Sequence, residues 1–298
     1  MGGQPLEMDW ELVVGSRLVP HLVPAGSRGV RRPADVGWLP DGAYPAIVDS
    51  VGHVSLEDLL VVPAVTWPVE PWRRRCLYSP LCVMAIGERG VGLWVEALPA
   101  PGVRAWVPFA EIAAIEQRAD GPYGVLVVTG RAATLLVRYD ADGQAVVDAW
   151  ARRLRRRVAA ASAPIPPQPG NRGPHRGADP GLLLLIPGDA IVSTGWRSRA
   201  GRGTCVLGVT SRELVIVQST RGVAPPWRRA TSTLCLPRGP VEDAVVRSRT
   251  MLLRSAGAEV RVSLRSRTVA AAASSWLRWM LSDHGRVRAA DRGDGKSQ

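Results

Sequence analysis

The feature that most constrains the fold of this chain is a phrase that the sequence contains twice. Residues 82–94 read CVMAIGERGVGLW, and residues 205–217 read CVLGVTSRELVIV, 123 positions further on. Each copy has a cysteine, an apolar run of β-prone residues, a polar corner with an arginine, and a second apolar run. The pattern predicts a strand, a tight turn and a second strand in each copy.

The similarity extends well beyond this phrase, with the same order of elements. Residues 59–75 match residues 182–199, and both segments contain a Trp-Arg string. Further on, residues 107–118 match residues 236–249. The offset between the copies drifts only from 123 to 129, which short loop insertions explain. A repeat of this length predicts one structural unit that occurs twice.

Within each unit, apolar residues recur mainly with a period of two. Residues 135–139 and residues 260–264 alternate in this way, which is typical of a sheet with one buried face. Each unit then ends in a segment with helical spacing, in which Trp150 and Trp276 hold matching apolar positions. We therefore expect these two tryptophans to anchor C-terminal helices in the cores of their units.

Several strands followed by one amphipathic helix, in about 100 residues, resemble the pleckstrin-homology-like (PH-like) domains of bacteria. Residues 82–96 and 205–219 look like the second and third strands of that fold, and residues 107–118 look like a strand with a phrase common in it. The resemblance implies a mainly β protein with capping helices. It implies two tandem PH-like barrels, each made of two orthogonal antiparallel sheets closed by a C-terminal helix.

The repeat and the resemblance together divide the chain. Residues 59–158 are predicted to form the first PH-like unit and residues 182–282 the second. Residues 159–181 are rich in Pro, Gly and Ala, which is typical of a linker. We expect residues 1–58 to be an N-terminal arm, partly ordered against the first unit, and residues 283–298 to be a disordered tail.

The sequence contains few groups that could carry chemistry. Its four cysteines form no C-x-x-C pair, so buried free thiols are favoured over disulfides or a zinc site. Its four histidines lack metal-ligand spacing, and no nucleophile elbow, Walker sequence or dinucleotide-binding phrase occurs. We therefore predict that the protein is not an enzyme and has no catalytic residue, cofactor or metal.

The N-terminus and the apolar runs bear on the compartment. The first residues have no basic region followed by a long apolar one, so we expect no signal peptide. The longest leucine run ends after six apolar residues, far short of the ~20 needed to span a bilayer. We expect a cytoplasmic protein without a transmembrane segment, located at the inner membrane face if it binds lipid.

The charge of the chain is unevenly distributed. The formal net charge is +12, and of the 38 Lys and Arg residues only Lys296 is lysine, an excess typical of a GC-rich coding sequence. Residues 1–180 hold 19 basic and 18 acidic groups, whereas residues 181–298 hold 19 basic and 8 acidic groups. Codon bias acts on both halves alike. The asymmetry therefore predicts that the second unit presents a basic surface to an acidic partner. The alternative is internal: acidic residues of the first unit, such as Glu96, Glu111 and Glu116, would dock onto this surface and neutralise it.

Two sets of residues are candidates for binding an anion or a partner. In a PH-like barrel the Trp-Arg strings would lie in the first inter-strand loop, where phosphoinositide-binding members of the family carry basic residues. This first set is Trp72, Arg73, Arg74, Arg75, Trp196, Arg197, Arg199 and Arg202. The second set, Arg247, Arg249, Arg261 and Arg265, is predicted to form an arginine ladder on an outer sheet face. For the first set we favour the structural alternative, in which Trp72 and Trp196 plug the barrel mouth and the arginines are solvated.

These observations favour a non-catalytic binding or scaffolding module that contacts another protein. The second hypothesis is a peripheral membrane adaptor that binds anionic lipid through the Trp-Arg strings. The third is a nucleic-acid-binding protein that uses the basic second unit. No known nucleic-acid-binding phrase supports the third hypothesis, and no motif names a protein partner.

Overall fold

The structure is a computed structural model. It describes residues 6–7, 12–15, 29–70, 75–96, 102–120, 123–161, 192–200, 203–210, 213–220, 230–237, 241–247, 250–263 and 271. The strands of this part of the chain are β1 (Leu6–Glu7), β2 (Leu12–Gly15), β3 (Leu59–Val62), β4 (Val65–Glu70), β5 (Arg75–Ser79), β6 (Cys82–Ile86), β7 (Gly90–Val95), β8 (Val103–Pro108), β9 (Ile112–Asp120), β10 (Tyr123–Gly130), β11 (Ala133–Asp140), β12 (Val192–Ala200), β13 (Gly203–Thr210), β14 (Glu213–Thr220), β15 (Ala230–Pro237), β16 (Val241–Arg247), β17 (Thr250–Ser255) and β18 (Ala258–Ser263). Its α-helices are α1 (Ala43–Val51) and α2 (Gln144–Ala161). The prediction of a mainly β chain with antiparallel sheets is confirmed.

The two halves of the repeat share a four-then-three order of strands, although the first half also contains β4 and β5 between β3 and β6, in a separate sheet with β2. In the first half, β3, β6, β7 and β8 form a four-stranded sheet in that order, and the β9–β10–β11 meander and helix α2 follow. In the second half, β12 to β15 are neighbours in chain order, and β16, β17 and β18 form a separate three-stranded sheet. The repeated phrase becomes the β6–β7 hairpin in the first half and the β13–β14 hairpin in the second.

The two halves share one sheet, because β9 pairs with β15 in antiparallel orientation. An eight-stranded sheet results, in the order β1-β11-β10-β9-β15-β14-β13-β12. The prediction of two tandem barrels did not include a sheet that both halves share. Pairing between edge strands that are far apart in the chain leaves no mark on the local apolar period, which reports only which face of a strand is buried.

The sheet of β3, β6, β7 and β8 is buried on both faces. One face belongs to the main core, which includes Trp150 and Leu154 of α2. The other face is covered by α1, whose Ala43, Ile47 and Val51 are buried against it. The strands β6 and β7 are accordingly buried along their whole length. Residues 30–58 of the expected N-terminal arm thus contribute a packed layer on the first unit.

Arg89, the arginine of the polar corner in the first copy of the repeated phrase, fastens helix α1 to this sheet. Its backbone amide donates to the Val51 carbonyl at 3.0 Å, and its Nη2 donates to the Asp49 carbonyl at 2.9 Å. These carbonyls lie in the last turn of α1, where no intrahelical amide is left to bond them. Gly87 allows the close approach, since a Cβ at this position would collide with Val51.

Trp150 anchors α2 as its spacing predicted. Its side chain is fully buried, and its Nε1 donates to the Asp58 carbonyl at 2.8 Å. The indole therefore fills the core and also binds the segment that leads into β3. Trp276, the matching residue of the second unit, lies outside the described residues.

We expect Trp150→Ala to lower the free energy of unfolding by about 3–5 kcal/mol, because a buried aromatic ring is lost. Trp150→Phe should fall between Trp150→Ala and the parent, since the ring stays but the Asp58 carbonyl loses its donor. Urea denaturation followed by circular dichroism measures both effects. A Trp150→Ala chain as stable as the parent would contradict the assignment.

Candidate interaction site

The outer face of the β16–β17–β18 sheet carries two of the predicted arginines. Successive rows of paired residues across this face are Asp243–Arg254–Glu259, Val245–Leu252–Arg261 and Arg247–Thr250–Ser263. The alternate residues, among them Ala244, Leu253 and Val262, are buried on the opposite face. We call the surface formed by the three rows the β16–β18 outer face.

Two of the four arginines predicted to form a ladder lie within the described residues, and the rows around them also contain acidic and apolar residues. Arg247 and Arg261 are both exposed on the β16–β18 outer face, whereas Arg249 and Arg265 lie outside the described residues. In the described rows no two arginines are directly opposite. Arg254 lies between Asp243 and Glu259, and Arg261 is opposite Leu252. The repulsion expected from a ladder of like charges is therefore avoided.

Arg254 was missing from the predicted set, although the sequence held a signal for it. It alternates with the buried residues Leu253 and Ser255 at the end of β17, which places it on the outer face. Arg261, 76% exposed, bonds Glu259 on its own strand at 3.0 Å. Because an exposed pair of this kind contributes little to stability, the guanidinium stays available to another molecule.

An apolar residue is exposed on β16, the edge strand of the same sheet. Val245 is 44% exposed, and Leu252 beside it is half-buried. Strand β16 is the last strand of its sheet, and within the described strands nothing pairs with its outer edge. The β16–β18 outer face thus combines a small apolar centre with charged neighbours.

The second Trp-Arg string does not form the expected loop. Trp196, Arg197 and Arg199 belong to strand β12, where they pair with Leu207, Val206 and Thr204. The pairing of β12 with β13 continues to Ala200 and Gly203, so the string lies within the ladder. Arg75 begins β5, whereas Trp72, Arg73, Arg74 and Arg202 lie outside the described residues.

Helix α2 meets the second half of the chain through a buried ion pair. The Nε of Arg155 donates to Oε2 of Glu213 in β14 at 3.0 Å, and both side chains are buried. Ile115 and Cys235, which face each other across the β9–β15 pair, line the same small cavity. At the exposed end of the junction, Ser232 donates to Glu116 at 3.1 Å.

Two arginines of α2 hold distant parts of the chain together. Arg155 joins the two halves of the chain. Arg153 pairs with Glu57 at 2.7 Å and with Asp58 at 3.6 Å, which holds the segment before β3. Sequence reasoning missed these roles because both partners lie far away in the chain.

The described part of the chain was compared with what a metal site and a membrane span require. It contains no set of three or more His, Cys, Asp or Glu side chains placed to hold a metal ion. Within the same residues, neither helix has the length and apolar character needed to cross a bilayer. Comparisons of the chain with protein-family models, with curated protein sequences and with solved structures give no match.

The two cysteines whose side chains are described are poor nucleophiles. Burial raises the pKa of the Cys82 thiol to about 12, and the Glu96 carboxylate adds to the effect. Burial also raises the pKa of Cys235 to about 12, against the opposing charge of Arg155 and with a further rise from Glu213. Both are free buried thiols, in agreement with the expectation from their spacing.

Removing one member of the buried ion pair should be costly. We expect Glu213→Ala to lower the free energy of unfolding by about 3–5 kcal/mol, because Arg155 would keep its charge without this carboxylate. The double variant Arg155→Met/Glu213→Leu should be close to the parent, since an apolar pair of similar volume fills the same space. Glu116→Ala, at the exposed end of the junction, is the matched control and should cost no more than about 1 kcal/mol. Equal losses in Glu213→Ala and Glu116→Ala, measured by urea denaturation, would contradict this account.

The thiols supply a pH-dependent prediction. Their pKa values rise on folding from the ordinary 9.0 to about 12, so the folded state favours the protonated form. The stability that they contribute is full below pH 9 and is lost as the pH rises from 9 to about 12. In a Cys76→Ser/Cys205→Ser chain, which retains only Cys82 and Cys235, a thiol reagent should label nothing at pH 8 until urea unfolds the protein. Rapid labelling of the native variant would show that the thiols are accessible.

Proposed function

We propose that this protein is a non-catalytic binding module, built from two PH-like units that share a sheet, and that its second unit contacts a protein partner. The four-stranded sheet, the three-stranded meander and the helix of the first half support the PH-like comparison, with the β4–β5 hairpin as an addition. The described strands of the second half, β12 to β15 and β16 to β18, follow the same four-then-three order.

The exposed apolar centre of the β16–β18 outer face carries the proposal. Val245 and Leu252 occupy neighbouring positions there, and Arg247, Arg254 and Arg261 surround them. An apolar centre with a charged rim is the usual composition of a protein interface, and arginine is enriched in such interfaces. A water-exposed valine on an edge strand gains from burial against another protein.

The corresponding face of the first unit supports this interpretation by contrast. Row Glu116–Val127–Leu136 there corresponds to row Val245–Leu252–Arg261 in the second unit. Val127 is only 6% exposed and Leu136 is half-buried, so the centre of this face is covered within the chain. The repeat therefore buries one copy of the face internally and leaves the other copy open.

The open copy is also the more basic one. Its described rows contain three arginines and two acidic residues, in a half of the chain that has 19 basic and 8 acidic groups. The partner that fits is a protein with an acidic surface around an apolar residue. Charge complementarity of this kind accelerates association and rejects wrong partners.

The two other hypotheses have less support. Lipid binding was expected from two exposed Trp-Arg loops, and the second of these strings lies within strand β12. Nucleic-acid binding would require a continuous positive surface, whereas Asp243 and Glu259 interrupt the arginines of the outer face. Both remain outcomes of the experiment that follows.

A photo-crosslinking amino acid at position 245 of the full chain, introduced in the native host, tests the proposal. We expect a protein adduct that the same group at Ala160, an exposed residue of α2, does not give. Arg261→Glu should remove the adduct and weaken binding of the purified partner about tenfold. Arg156→Glu, the same charge change on exposed α2, should leave both unchanged and serves as the matched control.

Three outcomes would overturn the proposal. Adducts of equal yield from positions 245 and 160 would mean that the face has no specific partner. An adduct insensitive to Arg261→Glu would separate binding from the charge of this face. Binding of the full chain to anionic vesicles or to DNA that Arg261→Glu abolishes, without a protein adduct, would establish one of the two alternatives instead.

A further inference from the structure

The first half of the chain also has an edge strand, β8. Strand β8 ends the four-stranded sheet, and none of the described strands pairs with its outer side. Its counterpart in the second unit is β15, which pairs with β14 on one side and with β9 on the other. The same strand of the repeat is thus paired on both sides in one copy and on one side in the other.

The hydrogen-bond pattern identifies which backbone groups of β8 face outward. The Phe109 amide donates to the Arg89 carbonyl at 3.3 Å, at the start of the β7–β8 pair. Bonded pairs alternate along an antiparallel ladder, so the backbone groups of Ala105 face β7. The N–H and C=O groups of Arg104 and Trp106 therefore face away from the sheet.

The side chains of these two residues are unusually open for a strand. Trp106 is 39% exposed, one of the few large apolar side chains at the surface of the described residues. The Arg104 side chain is 55% exposed, and its contact with Asp49 is long, at 3.7 Å. Both lie on the same face of β8, since they are two positions apart.

We propose that β8 pairs in antiparallel orientation with β8 of a second copy of this chain, about a twofold axis at Ala105. In this register Arg104 lies opposite Trp106 of the second copy, and Trp106 lies opposite Arg104 of the second copy. The outward N–H and C=O groups of these residues bond each other across the axis. Each guanidinium packs over an indole ring, a favourable cation–π contact, and the two arginines stay diagonal to each other.

The self-complementarity of the edge is the reason to choose a second copy as the occupant. An arginine and a tryptophan two positions apart, on either side of a small residue, satisfy each other only when the strand meets itself antiparallel. Twofold contacts of this kind are the commonest way in which proteins form dimers. The Arg31 guanidinium already lies over the Trp38 ring at 5.1 Å, so the chain uses the same contact internally.

Head-to-tail assembly through β8 of one copy and β16 of another fits less well. In the repeat β8 corresponds to β15 and β16 corresponds to β9, so such an assembly would copy the β9–β15 junction. In that junction the C-terminal end of α2 packs against β14 and β15. The equivalent space on β7 and β8 is occupied by α1. The twofold pairing needs only the strand edge, and it is independent of the proposed partner at the β16–β18 outer face.

Sedimentation velocity of the full chain over a range of concentrations tests the proposal. The parent chain should change from monomer to dimer as its concentration rises. Arg104→Glu should weaken the dimer about tenfold, because a carboxylate replaces the cation over the ring. Trp106→Arg should weaken it similarly, because arginines would then lie opposite each other.

The double variant Arg104→Glu/Trp106→Arg distinguishes specific pairing from nonspecific association of an exposed apolar surface. It places a carboxylate at position 104 opposite a guanidinium at position 106 in both directions, so the dimer should return. Circular dichroism and melting temperature confirm that each variant is folded. A parent chain that is monomeric at all concentrations, or a folded double variant that is no tighter than the two single variants, overturns the proposal.

A disulfide tests the register directly. Ala105 would lie opposite Ala105 of the second copy in a non-hydrogen-bonded pair, with Cα atoms about 4.5 Å apart, which suits a disulfide. Ala105→Cys should give a covalent dimer on mild oxidation. Ala110→Cys, an exposed position just beyond β8, should give much less. Equal crosslinking at positions 105 and 110 would exclude the proposed register, whereas loss of the Ala105→Cys dimer in the Arg104→Glu background would support it.

Discussion

The antiparallel pairing of β9 with β15 determines how the two halves of the chain are arranged. It makes one sheet out of strands that come from both copies of the repeat, and it brings Ile115 next to Cys235. Helix α2 then contacts both halves of the chain. Its Trp150 lies in the core of the first half, and its Arg155 bonds Glu213 of the second. A buried ion pair is stable only when both partners are positioned well, so this contact selects one relative placement of the halves.

The local pattern of the sequence was sufficient for the parts of the fold that depend on local periodicity. The β6–β7 and β13–β14 hairpins and the burial of Trp150 followed from alternation and helical spacing. The β9–β15 pairing, the α1 layer and the partner of Arg155 could not be obtained in this way, because each depends on residues that meet only after folding. Arg254 could have been found, since it alternates with buried residues, whereas the strand at Trp196 was missed because the glycines that follow it also suit a longer loop.

The two copies of the repeat differ most where they meet other parts of the molecule. Gly90 in the first copy corresponds to Glu213 in the second, and this one change creates the carboxylate that binds α2. Glu116 corresponds to Val245, so a residue that bonds Ser232 within the chain is replaced by one that is exposed. The two copies have similar frameworks, and different residues at a few edge positions determine which surfaces are covered internally and which are exposed.

The order of helices and sheets along the chain has a consequence for synthesis on the ribosome. Helix α1 precedes the sheet that it covers, and α2 precedes strands β14 and β15, against which its C-terminal end lies. On its core side, the same four-stranded sheet waits for Trp150 and Leu154 of the later helix α2. The face covered by α1, and the face of β14 and β15 covered by α2, emerge when their covering helices have already been made. Since domains generally fold from the N-terminal side during synthesis, neither face has to wait in water for a later segment, and the interval in which it could aggregate is short.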